Sequence, residues 1–271
     1  MGIERELIDQ AAALLGRARL VVVLTGAGIS KESGVPTFRD AMDSLWARYD
    51  PQQLATPGAF RRDPTLVWNW YTHRRELLRR AAPNPGHGAL AQLESLVPQM
   101  VVITQNVDGL HQAAGSSDVI ELHGNLSRDK CFAACQGEPT YVAPESALPP
   151  VGDMPPRCPH CEGYIRPDVV WFGEALPQAA LARAVALSRG ADVMLVVGTS
   201  GVVQPAASLP YYAAQSGKLI VDVNPFPDEI SPMADVFLQG PAGEVLPRLV
   251  ETVRTLREGR PVDTRGDVPG E

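Results

Sequence analysis

The stretch LVVVLTGAGISKESGVPTFRD, residues 20–40, joins a short apolar run to a glycine-rich turn and then to a polar, proline-containing loop. Leu20 to Leu24 is too short for a buried helix and rich in β-branched side chains, which predicts a strand covered on both faces. Gly26 and Gly28 would let backbone amides approach a diphosphate, and a helix after them would turn its positive end towards it. A Gly-x-Gly turn by itself is common in α/β proteins, and Lys31 stands where a third glycine would complete the dinucleotide fingerprint. Less ordinary is Gly34 to Asp40, which places an aromatic, a cation and an anion in a loop expected over bound phosphates.

Outward from this stretch the same grammar repeats. Met100 to Thr104 reads as a second buried strand and ends in the polar run Gln105 to His111. Val119 to Leu122 is a third, followed at once by His123-Gly124-Asn125. Val169 to Glu174, Val193 to Val197 and Leu219 to Val223 complete the set, the last two ending in Gly198-Thr199-Ser200 and Asn224-Pro225. Between them lie helical patterns over Ile3–Ala18 (stripe Ile3, Leu7, Ala11, Leu14), Asp63–Arg80, His87–Leu96, Pro177–Arg189 and Leu246–Leu256. Strand, polar end and helix in alternation predict an α/β fold with a doubly wound, Rossmann-like parallel sheet. Ligands in such sheets sit at the carboxyl ends of the strands, so the polar ends should converge on one crevice.

Two segments interrupt the pattern. Residues 41–85 read as a helical insertion, and the proline-rich stretch 127–167 holds all four cysteines as Cys131-x3-Cys135 and Cys158-x2-Cys161. The sheet domain is then discontinuous, over 1–40, 86–126 and 168–257, and 258–271 is expected as a disordered tail. Paired cysteines in a chain without a secretion signal point to zinc rather than to disulfides. Four thiolates leave no open position for water, so that zinc would be structural. With 45% apolar and 20% charged residues the composition is that of a soluble globular protein, and a net charge of −7 argues against a nucleic-acid surface. No apolar run reaches membrane-spanning length. A cytoplasmic protein is the expectation, and the chain proposes no partner surface, which is compatible with a monomer.

His123, at a strand end beside the expected nucleotide crevice, is the sharpest catalytic candidate. His87 and His111 are assigned to structure. On the helix from Asp63, Val67, Tyr71, Arg74 and Leu78 share one face, and an arginine there must be paired or face a cavity. A guanidinium and a phenol three residues apart can donate jointly to one carboxylate; the alternative is that Arg74 pairs with an internal acid.

Taken together, GAGIS…SGVPTFRD, QNVDGLH (105–111) and HGN (123–125) resemble the sirtuins, the NAD-dependent protein lysine deacylases. The resemblance covers Leu20 to about Gly243. It implies that NAD is held by Gly26, Ala27, Gly28, Ser30, Thr37, Phe38 and Arg39, and by Gln105, Asn106 and Asp108. Gly198, Thr199, Ser200, Asn224 and Ala242 would hold the adenosine half. His123 would take a proton from a ribose hydroxyl, with Asn106 beside the nicotinamide ribose, and Phe172, Gly173 and Glu174 would contact the substrate. Cys131, Cys135, Cys158 and Cys161 match the family's zinc ligands, although its more usual first spacer is two residues. Tyr71 and Arg74 resemble the pair that marks class III sirtuins, which grip the carboxylate of succinylated, malonylated or glutarylated lysine. The implied reaction removes acetyl, and by that pair succinyl or malonyl, from protein lysines, giving nicotinamide and O-acyl-ADP-ribose. Mono-ADP-ribosyl transfer and a non-catalytic NAD or acyl-lysine binding module are the alternatives.

Overall fold

Helix α1 (Arg5–Arg17) and strand β1 (Leu20–Thr25) open the computed structural model, which describes residues 5–35, 50, 54–143 and 154–259. The side chains of β1 alternate between two cores, Val21 and Val23 in one and Val22 and Leu24 in the other, as a period of two requires of a strand covered on both faces. Helices α2 (Pro57–Arg62), α3 (Pro64–Arg80) and α4 (Pro85–Leu96) come next, then β2 (Gln99–Thr104), the single-turn α5 (Leu110–Ala113) and β3 (Val119–Glu121). Strands β4 (Gly124–Cys131), β5 (Tyr141–Val142) and β6 (Ile165–Val169) precede α6 (Gln178–Gly190), β7 (Val193–Val197) and α7 (Leu209–Gln215). The chain closes with β8 (Leu219–Asn224), β9 (Val236–Gln239) and α8 (Ala242–Arg257).

Six strands pair in parallel in the order β3-β2-β1-β7-β8-β9. The chain builds β2 and β3 on one side of β1 and later lays β7, β8 and β9 on the other. Connections therefore diverge at β1 and β7, and a crevice opens at their carboxyl ends. Helices α1, α4 and α8 cover one face through Ile8, Leu15, Leu90, Leu93, Val245 and Leu249, while α6 and α7 cover the other through Ala184, Leu209 and Ala213. The predicted parallel, doubly wound sheet is present.

A second sheet, order β5-β4-β6, is antiparallel. A third core joins it to α2 and α3 through Phe60, Val67, Trp70, Tyr71, Leu126 and Trp171. Helix α3 starts where Asp63-Pro64 predicts, the Asp63 carboxylate accepting from Leu66 N at 2.9 Å.

Three expectations need correction. The buried stripe of α1 is Ile8, Ala11, Ala12 and Leu15, so that of the expected stripe Ala11 is buried, Leu7 and Leu14 are half-buried edges and Ile3 lies outside the described residues; adjacent apolar residues leave the stripe's centre ambiguous in sequence. After β1 the chain forms a 3-10 helix over Ala27–Ser33, not an α-helix. The strand expected at Val169 to Glu174 in the main sheet lies earlier, as β6 of the second sheet. Gly124, paired with Val169, has a φ of +81°, and a Cβ there would stand 2.1 Å from Asp168 O, so this pairing closes only on glycine. Among the described residues no helix is long and apolar enough to cross a membrane. Of the expected tail, all but residues 258 and 259 lie outside the described residues.

Candidate active site

The floor of the crevice is a contact between two turns. A Cβ on Gly26 would meet Gly198 O at 2.7 Å, and one on Gly28 would meet Gly198 Cα at 2.7 Å. Gly26 N donates to Val197 O (3.0 Å) and Gly28 N to Gly198 O (2.8 Å). These two amides are thus engaged by the β7 turn. The glycines let the turns of β1 and β7 touch, and Ala27 lies between them. Glu32, in the 3-10 helix, accepts from Gly243 N at 2.7 Å and so ties this turn to the start of α8, where Ala242 is buried. Thr37, Phe38 and Arg39 lie outside the described residues.

Above the floor the predicted polar residues form one hydrogen-bonded cluster. Asn106 Nδ2 donates to Gly26 O (3.0 Å) and Ser30 Oγ (3.1 Å), and Ser30 Oγ donates to Asp108 Oδ2 (2.7 Å). Gln105 Nε2 donates to Thr199 Oγ1 at 3.0 Å, bridging the ends of β2 and β7. Asn224 Nδ2 donates to Thr199 O (2.8 Å) and to Asp228 Oδ2 (2.6 Å), bringing in the end of β8. Ser200 follows Thr199 and is exposed.

His123 stands after β3 with Nδ1 2.8 Å from Gln105 O. A carbonyl can only accept, so Nδ1 carries the proton and the Nε2 lone pair is left to take one. Burial lowers the imidazole's pKa, against the raising effect of that carbonyl, so the ring is neutral at neutral pH. His87 and His111 lie deeper. His87 closes a capping box on Asn84 at the start of α4, its Nδ1 accepting from Asn84 N at 3.3 Å. His111 Nε2 is 2.9 Å from Thr25 Oγ1, which itself donates to Thr104 Oγ1, and burial pushes His111 down to about 3. Both are framework, as their sequence contexts predict.

The loop after β6 leans on the histidine: Val170 N donates to His123 O at 2.9 Å, and Phe172 N to Ala55 O at 2.9 Å. Phe172 and Gly173 are exposed beside it. Glu174 is engaged otherwise than expected of a substrate contact. Its carboxylate takes Arg166 Nη1 (2.5 Å) and Nη2 (3.1 Å) and the Trp171 backbone N–H (2.8 Å), so it organises the loop. Across from the loop, α3 presents Tyr71 and Arg74. Burial pushes the Tyr71 hydroxyl up to about 12, which keeps it protonated, with Arg74 close enough to act against that rise. Arg74 lies 5.2 Å from the Trp70 ring centroid. The acid on β4 beside this helix, Asp129, is taken by the neighbouring Arg75 at 2.5 Å.

The four cysteine sulfurs lie within 4.8 Å of one another, with Cys131–Cys161 at 3.6 Å and Cys135–Cys158 at 3.8 Å. A tetrahedral zinc with bonds of about 2.3 Å needs sulfur–sulfur edges of about 3.8 Å. The donor set and its spacing fit a structural zinc. The longer first spacer is absorbed by Ala134, held at a φ of +48°.

Residues 26–205 match the Sir2 family. The chain belongs to that family. It is 56% identical over 243 residues to NAD-dependent protein deacylase 2 of Pyrobaculum aerophilum, covering 90% of this chain and 94% of that protein. It is 52% identical over 239 residues to NAD-dependent protein deacylase 1 of Pseudomonas aeruginosa, covering 88% and 95%. Among solved structures it resembles a Sir2 homolog–NAD complex, with a TM-score of 0.84, 46% identity and coverage of 92% of this chain and 94% of the other. It also resembles Sir2Af2 bound to a myristoylated histone peptide, with a TM-score of 0.74, 35% identity and coverage of 95% and 100%.

Within this Sir2-family site, sequence reasoning missed Trp171, Arg166 and Asp228. Arg166 carried one available signal, a cation two residues before an acid, Asp168, at the entry to the apolar run from Val169. Asp228 carried none, because its contact with Asn224 depends on how the loop after β8 folds back.

Proposed function

We propose that the protein is an NAD-dependent protein lysine deacylase that also accepts acidic acyl groups, succinyl or malonyl. The observation that carries the deacylase reading is His123, which follows β3: a neutral imidazole whose Nδ1 proton is fixed by Gln105 O, which leaves the Nε2 lone pair to take a proton. As co-substrate, NAD supplies nicotinamide as leaving group and a ribose that receives the acyl group. The chain's part is positioning and proton handling. Asn106, Ser30 and Asp108 form a preorganised polar wall, held by hydrogen bonds of 2.7–3.1 Å, against which the nicotinamide end would lie. Thr199 and Asn224 offer the corresponding wall for the adenosine end. His123 accepts a ribose hydroxyl proton at Nε2, and burial keeps the imidazole unprotonated and available for that step.

The acidic-acyl part rests on Tyr71 and Arg74, a protonated phenol and a guanidinium three residues apart on α3. Two such donors suit one carboxylate better than a methyl group. Incubation with NAD and peptides carrying acetyl- or succinyl-lysine, read by mass spectrometry, tests both parts. Loss of acyl mass with release of nicotinamide is expected for each peptide. A gain of ADP-ribose mass instead would overturn the deacylase reading, and loss of acetyl alone would overturn the acidic-acyl part.

A further inference from the structure

We propose that Trp171 is a positioning residue for acyl selectivity: its indole N–H fixes the Tyr71 hydroxyl so that the tyrosine's own proton is offered to the substrate carboxylate. This rests on the acidic-acyl reading above. Trp171 Nε1 lies 2.8 Å from Tyr71 Oη. An indole N–H can only donate, so the hydroxyl must accept, and its single proton is directed elsewhere. The phenol keeps that proton at neutral pH, since burial holds it far from ionisation.

Trp171 is itself held at three points. Its backbone N–H donates to Glu174 Oε2 at 2.8 Å. The Arg166 guanidinium lies 3.3 Å from the ring centroid, and Phe60 packs at 5.4 Å. Arg166 is held in turn by Glu174 and by Val169 O at 2.5 Å. A planar donor clamped in this way sets the direction of the hydroxyl it reaches. Arg74 stands one helical turn beyond Tyr71 on α3 and is felt by its hydroxyl, as is Arg166.

The test is a double-mutant cycle on the ratio of desuccinylase to deacetylase kcat/KM. Trp171→Phe keeps an aromatic ring and removes the N–H. One neutral hydrogen bond at this site should change the ratio by about 2–10-fold, and we expect it to fall by about 5-fold. In the Tyr71→Phe background the same substitution should leave the ratio within about twofold. If Trp171→Phe lowers the melting temperature markedly, replacement of Trp171 by β-(3-benzothienyl)alanine, which swaps the N–H for sulfur in a ring of nearly the same size, takes its place. An unchanged ratio in the Tyr71 background, or an equal fall with and without the Tyr71 hydroxyl, overturns the proposal. A wild-type enzyme that removes acetyl but not succinyl overturns the acidic-acyl reading itself, and this inference with it.

Discussion

Asp222 offers a quantitative test of the electrostatics that the fold imposes. It sits on β8 fully buried, on the sheet face that carries Ile220, where the other side chains are apolar. Ser231 Oγ donates to Oδ2 at 2.7 Å, while Oδ1 has no hydrogen-bond partner among the described residues. Burial raises the carboxyl's pKa from 3.8 to about 6, against the opposing Ser231 hydrogen bond and with Asp228 adding repulsion. Between these two values the folded protein binds a proton that the unfolded chain has lost, so stability falls as pH rises through that window. Below it both states are protonated and nothing is lost; above it the full cost is present. Two pH units correspond to about 3 kcal/mol. Asp222→Asn removes the titration. Its absolute effect includes a new amide that needs a partner, but the pH dependence of the difference isolates the carboxyl. Urea unfolding of both proteins from pH 4 to pH 8 should show the variant gaining about 3 kcal/mol relative to wild type across that range. Curves that run parallel would refute the reasoning and mean that Asp222 ionises as easily in the fold as in the unfolded chain.

Three further outcomes are expected. His123→Ala should reduce turnover by ~10²–10⁴-fold while leaving the melting temperature near that of wild type, and a folded variant of full activity would remove His123 from the mechanism. Metal analysis should find about one zinc per chain, with serine at Cys131, Cys135, Cys158 or Cys161 lowering thermal stability; metal-free protein of unchanged melting temperature and activity would contradict this. Arg74→Met should reduce desuccinylation ~10-fold or more beyond any loss of deacetylation, equivalent to ~1.4 kcal/mol of selective transition-state binding, and Tyr71→Phe should act in the same direction with smaller size. Equal loss of both activities in Arg74→Met would make the arginine a structural residue.

Legibility followed the range of the interaction. The main sheet could be read because strands buried on both faces write themselves as unbroken runs such as Val21–Leu24 and Val193–Val197. The crevice followed from the polar residues that end those runs. His123 was marked by its place after β3, and the cysteines by their pairing. What escaped was set by contacts between distant segments. Gly26 and Gly28 read in sequence as a turn that lets backbone approach a ligand, and only the fold shows that the backbone they first admit is that of Gly198. Glu174 looks like a substrate contact until Arg166 is seen beneath it. The strand at 165–169 left the main sheet because Gly124 allowed β4 to pair with it, a preference that neither segment shows alone.

The carboxylate of Glu32 on the amide of Gly243 joins residues 211 positions apart in the chain. A ribosome that has just finished the glycine-rich turn must add every residue up to the last helix before this contact can form. At ~5–20 residues per second that interval is on the order of 10–40 s. For most of it, until Val193–Val197 has been made, β1, an apolar strand destined for the middle of the sheet, has no β7 against which to pair. Nascent chains should therefore expose the β7 edge of β1 to chaperones until Val197 has been made, and a truncation before Gly243 should leave the turn without its clasp, at the opposite end of the gene from the lesion.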